Sequence, residues 1–244
     1  MWSDHTSERC PVTRSRMHEV VVRHVEDELV AGRLPVGGRL PAERALAEQL
    51  GVSRPSVREG IRILEAMGLV RTAVGSGPEA GAIVVAEPEA GIGSALRLHL
   101  ASRSLPVADV VRTRELLEAW TVREAARQPT SPQVDEAETL LDSMDAPGLT
   151  PDEYLALDAD FHVTLARAAG NEVVAAIMTA LRESIHGYVL AAVPDLPDWP
   201  AMQRRLRRQH RNVLAAVRAG DGERAARLVR SHIDGFYAAS LPRS

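Results

Sequence analysis

The sequence contains no lysine and only one cysteine, and aromatic residues fill just 3% of its 244 positions. A single thiol, Cys10, can form no internal disulfide, which suits a reducing compartment. So few rings leave an aliphatic, alanine-rich interior, a composition that favours packed helices over sheets. No run approaches the roughly 20 apolar residues a membrane span needs. The first residues also lack the apolar stretch of an export signal. The expectation is a cytoplasmic protein with no membrane partner. Positive charge is not in excess either. The net charge is −4, and residues 1–86 carry 11 Arg against 11 Asp and Glu. Any recognition of nucleic acid must then depend on where the arginines point rather than on bulk charge. All 29 basic residues are arginine, so each such contact would use the planar, bidentate guanidinium.

What is present is ordinary for a globular chain: 45% hydrophobic and 25% charged residues, and length enough for two cores. Residues 1–16 are polar and aperiodic, which predicts a flexible arm. Apolar positions Val20, Val21, Val25 and Leu29 recur at helical spacing over 17–31. Gly32, Pro35, Gly37 and Gly38 then predict a loop. Pro41 opens a short helix over 42–50, Gly51 closes it, and Ser53 caps the next, 54–67. Two short strands, 69–73 and 82–86, flank a glycine-rich turn. Pro88, Gly91 and Gly93 predict a linker over 87–93. Beyond it, helices are expected at 94–103, 106–128, 131–145, 151–169, 171–191, 199–219 and 221–240, with breaks at proline and glycine. The expected fold class is mainly α: a winged helix-turn-helix over 17–86 and an all-helical bundle over 94–240.

On the helix 54–67, Val57, Ile61, Leu64 and Met67 make one stripe, while Arg54, Arg58, Arg62 and Glu65 share another face. Three arginines in line can read a major groove, although a solvated, ion-paired face would show the same spacing. In the second half, Tyr154, Leu157, Phe161 and Leu165 form an apolar stripe, with Asp158 and His162 four residues apart beside it. His210 and His232 sit in the apolar stripes of consecutive helices. Each could be a satisfied core residue. Together, three inward histidines and an aspartate would be satisfied at once by ligating one ion, and nitrogen with carboxylate ligands suits Zn²⁺ or Ni²⁺. A hydrolytic zinc site would need a placed general base as well, and no inward glutamate is expected beside these four. His5 and His18 lie in or near the arm, His24 is read as a packing residue, and His99 and His186 as having no obvious partner.

Two sets of residues carry a resemblance. Leu40-Pro41-Ala42-Glu43-Arg44, Leu46-Ala47, Gly51-Val52-Ser53-Arg54-Pro55-Ser56-Val57-Arg58-Glu59 and Gly68-Leu69-Val70 resemble the winged helix of the GntR family. That resemblance implies DNA contacts by Arg44, Ser53, Arg54 and Arg58, with Ser56 nearby, and a minor-groove approach by Gly75 and Gly77. Pro78-Glu79-Ala80 makes the wing longer than the common form. Asp158-Ala159-Asp160-Phe161-His162, Leu165-Ala166, Gly170-Asn171, Gln209-His210-Arg211 and His232-Ile233 resemble the FCD effector domain of the FadR subfamily. This implies metal ligation by Asp158, His162, His210 and His232, with Asp160 on the wrong face. It also implies a small carboxylate effector anchored by Arg114, although Arg112 stands where the pattern carries an acid, and Arg114 could equally pair with a nearby glutamate. Asn171 is read as a helix cap. The function expected is that of a homodimeric repressor on a double-stranded DNA operator, modulated by a small organic acid beside a divalent ion. The alternatives are a regulator for which the ion itself is the signal, and a metal-dependent hydrolase. The protein is not expected to be an enzyme.

Overall fold

The computed structural model describes residues 17–73, 81–85, 87–196 and 198–240. They form two compact units divided between Pro88 and Glu89. The arm predicted over 1–16 and the wing tip with Gly75 and Gly77 lie outside the described residues.

The first unit contains α1 (Met17–Val30), α2 (Glu43–Leu50), α3 (Arg54–Ala66) and an antiparallel hairpin of β1 (Val70–Ala73) and β2 (Gly81–Val84). The strands pair Val70 with Val84 and Ala73 with Gly81. The segment before α2 joins the hairpin through a bridge from Arg39 to Ile83. Val21, Leu46, Val57, Leu64 and Val70 are almost fully buried and form the core. Removing one such leucine would cost roughly 2–5 kcal/mol. Two glycines make this packing possible. Gly51 ends α2 at φ 64°, a left-handed conformation costly for other residues. Gly60 lets α3 close on α1, because a Cβ there would stand 2.7 Å from the Val21 Cβ. Met67, expected in the buried stripe, is instead half exposed, since α3 ends one residue earlier.

The second unit is helical throughout. It contains α4 (Pro88–Ala101), α5 (Val107–Ala125), α6 (Pro132–Met144), α7 (Pro151–Ala168), α8 (Glu172–Ala192), α9 (Trp199–Arg218) and α10 (Gly222–Ser240). A 3-10 turn at Val193–Asp195, which the sequence did not predict, follows α8. The helix starts at Thr150, Asn171 and Asp198 coincide with a side-chain cap. Thr150 and Glu153 form a reciprocal capping box at α7, and the Asn171 side chain accepts from the Val174 N–H at α8. The latter agrees with the cap reading of Asn171. Helix α10 packs along α5 and α9, and α7 lies against α6, α8 and α5.

The stretch 88–93, expected as part of a linker, is the start of α4. Its glycines permit close approach rather than a break. A Cβ on Gly93 would meet the Ala180 Cα at 3.5 Å and a Glu183 carboxylate oxygen at 3.0 Å. Helix α8 is long and apolar enough to cross a membrane by length and composition. Its Met178, Leu181 and Ile185 are nevertheless buried in the core of this unit.

Candidate functional site

The N-terminus of α3 presents the first candidate surface. Ser53 caps the helix by accepting from the Ser56 N–H at 3.3 Å, and the two hydroxyls lie 2.9 Å apart. The Arg54 and Arg58 side chains are 57% and 53% exposed, and Arg44 is more exposed still. Arg58 donates from Nε to Glu43 at 2.8 Å, while Arg54 stands 3.7 Å from the same carboxylate. The solvated, ion-paired reading of this face is therefore partly true. Such exposed pairs are worth about 1 kcal/mol or less and would yield to a phosphate or base edge. Arg62 is also exposed. Glu65 belongs to a different job: its carboxylate accepts from the Thr72 N–H at 2.9 Å and pins β1 to α3.

The second candidate site lies inside the helical unit. Asp158, His162, His210 and His232 are all buried, and each offers one ligand atom within 4.8 Å of the others. Asp158 and His162 come from α7, His210 from α9 and His232 from α10. Asp160 is exposed on the opposite side of α7, as the helical period requires. His210 Nε2 is the hub. It lies 3.3 Å from His162 Nε2, 3.1 Å from His232 Nε2 and 3.0 Å from Asp158 Oδ1.

The outer ring nitrogens explain the orientation. His162 Nδ1 lies 2.7 Å from Glu118 Oε2, and His232 Nδ1 lies 3.3 Å from Gln209 Oε1. With the protons held on Nδ1, both Nε2 lone pairs converge on the centre. Converging lone pairs repel unless a cation or proton lies between them. Bonds of 2.0–2.1 Å to one ion would give ligand–ligand edges of about 3.0–3.4 Å, close to the three made by His210 Nε2, and the other pairs stand within 4.8 Å. The cluster therefore fits a divalent metal.

Charges held by the surrounding residues support the same arrangement. Burial pushes the Glu118 carboxyl up, but the Arg182 guanidinium, His162 and Arg114 outweigh it and hold the group well below its ordinary range. Burial opposes ionisation of Asp158 too, and Arg182 with a hydrogen bond from His210 overcomes it. Desolvation, reinforced by Arg182, lowers His162 to about 4. Both carboxyls are thus anionic and His162 is neutral, the states that metal ligation requires.

Arg114 is buried. It donates to Glu118 Oε1 from Nε at 3.0 Å and to the Tyr237 hydroxyl at 2.7 Å. The pairing with a nearby glutamate is real, and Arg114 also lines a cavity that is partly open to solvent. Asp158, His232, Arg182 and Tyr237 share that lining. Two participants escaped the sequence reading. Glu118, contrary to the expectation of no inward glutamate, lies directly behind His162. Arg114 and Arg182 both hold its Oε1, and its Oε2 lies 2.7 Å from His162 Nδ1. Arg182 spans Asp158 at 2.6 Å and Glu118 at 3.0 Å. A lone arginine between Met178 and Ile185 in an apolar stripe was the available signal. His186 and His99, read as partnerless, lie 2.8 Å from Asp152 Oδ1 and 3.0 Å from Ser104 Oγ respectively.

Comparison with known proteins gives this geometry its setting. The family model for bacterial regulatory proteins of the gntR family matches residues 17–79, and that of the FCD domain matches residues 109–235. The chain belongs to the GntR family and carries an FCD domain. Among curated relatives, this GntR protein is 28% identical over 221 residues to the Glc operon transcriptional activator of Escherichia coli K12, covering 88% of this chain and 85% of that one. It is 29% identical over 245 residues to the HTH-type transcriptional repressor NanR of Edwardsiella tarda, covering 96% and 89%. A solved Streptococcus agalactiae GntR structure superposes with a TM-score of 0.65 at 25% identity, over 92% of this chain and all of that one. The protein is a DNA-binding transcriptional regulator of a family of regulators, not of enzymes, and its helix-turn-helix is the DNA-binding part. Its FCD bundle contains a buried histidine and aspartate cluster of metal-site character.

Proposed function

We propose that this regulator is a cytoplasmic homodimer that binds a pseudo-palindromic operator and releases it when a small organic acid occupies the FCD domain. Arg44, Ser53, Arg54, Ser56 and Arg58 contact DNA, with Gly75 and Gly77 approaching the minor groove. Asp158, His162, His210 and His232 ligate a Zn²⁺ or Ni²⁺ ion. Bound there, the ion supplies a Lewis acid for an oxygen ligand. Arg114 anchors a carboxylate of the effector through a guanidinium already oriented by Glu118 and Tyr237. The observation that carries this reading is the cavity that borders Asp158, His232 and Arg114 together. An occupant could touch the ion and the guanidinium at once.

Coupling to DNA requires only that the effector favour one of two dimer geometries. Repression is the expected sign. Operator binding should be measured with Zn²⁺-loaded and chelated protein, each with and without a panel of small carboxylates. Loss of binding in the loaded protein alone, on adding a carboxylate, is the expected outcome. Unchanged binding in every arm would overturn the effector role. A response to the ion without any carboxylate would make the metal itself the signal.

A further inference from the structure

The occupant's charge follows from what surrounds it, given the effector reading above, on which this inference rests. Four charged side chains are buried around the cluster: Arg114, Arg182, Glu118 and Asp158. The two guanidiniums balance the two carboxylates pair by pair: Arg182 lies 2.6 Å from Asp158 and 3.0 Å from Glu118, and Arg114 lies 2.9 Å from Glu118. Histidines ligate as neutral imidazoles and so add no charge to the count. A divalent ion held by this set therefore brings two positive charges that no buried side chain of the set offsets. Uncompensated charge in a low-dielectric interior is costly, and the cavity is where compensation can enter.

The polar lining agrees. Arg182 is 7% exposed, and its Nε has no hydrogen-bond partner although both terminal nitrogens are engaged. Tyr237 accepts from Arg114, which leaves its own O–H proton to donate. Both side chains line the cavity with Arg114, and Leu155, Ile185 and Phe236 supply apolar wall. We infer that the site selects a small dicarboxylate over a monocarboxylate, and that Arg182 is the specificity-determining residue, receiving the second carboxylate while the first lies towards the metal and Arg114.

Calorimetric titration of the full-length, Zn²⁺-loaded protein at fixed ionic strength tests this, with malonate and succinate against acetate and propionate. The dicarboxylates should bind at least tenfold more tightly. Arg182→Gln removes one positive charge, and the preference should fall to about threefold or less in protein that retains stoichiometric Zn²⁺. Should that variant fail to fold, Arg182→Lys keeps the charge but loses the planar fork, and should weaken dicarboxylate binding more than acetate binding. Equal affinity of the native protein for both classes, or a native preference surviving in the variant, would overturn the inference while leaving the carboxylate effector intact. If no carboxylate binds, the effector reading itself falls, and this inference with it.

Discussion

Arg54 and Arg58 are both exposed on α3, whose start Ser53 caps. Arg58→Ala should weaken operator binding by about 1–3 kcal/mol, the value of one bidentate base contact, and leave the FCD transition unmoved. A fluorescence-anisotropy titration checks the first part and a thermal melt the second. Inside the bundle, Glu118 has the corresponding supporting role, since its Oε1 holds two guanidiniums and its Oε2 lies 2.7 Å from His162 Nδ1. Glu118→Gln should lower metal affinity about 10–100-fold, as loss of an outer-shell partner does elsewhere. Competition against a chromophoric chelator reads that change. An affinity within twofold of the native value would show that His162 is oriented by packing alone.

At the scale of elements, α5 and α10 matter beyond the cluster. Glu115 on α5 faces Asp234 on α10, with Arg230 and Arg112 nearby. Burial, then the hydrogen bond and charge of Asp234, raise Glu115 to about 7. The sign follows from linkage. An acid whose pKa rises on folding binds a proton more tightly in the native state, so its contribution is complete below about pH 4.5 and is lost as pH rises through 7. Glu115→Gln should therefore raise the melting temperature at pH 8 and leave it unchanged at pH 4.5. Equal shifts at both values would remove the carboxyl pair as the cause. Helix boundaries were largely legible from proline, glycine and cap residues. Helix α4 was not, because Gly91 and Gly93 have the same identity in a linker as in a close helix contact. Only Ala180 and Glu183, almost 90 positions away, separate the two cases.

On the scale of the whole molecule, each unit has its own hydrophobic core. A ligand of one core stabilises that core by mass action, by about 2.7 kcal/mol at a hundredfold excess over Kd. Chelation should accordingly lower one calorimetric transition, that of the FCD bundle, and leave that of the winged helix in place. A common shift of both would mean that the units unfold as one. The sequence by itself determined most of the elements, the two-part division, and the inward helical faces bearing Asp158, His162, His210 and His232, since periodicity and capping act within a few residues of each position. Tertiary structure alone decided that these three faces meet around His210, that Glu118 and Arg182 stand behind them, and that a cavity opens beside Arg114. Those are contacts between side chains 22 to 64 residues apart in some cases. A buried charge reveals its purpose only when the partner that neutralises it has been brought alongside by the packing of other helices.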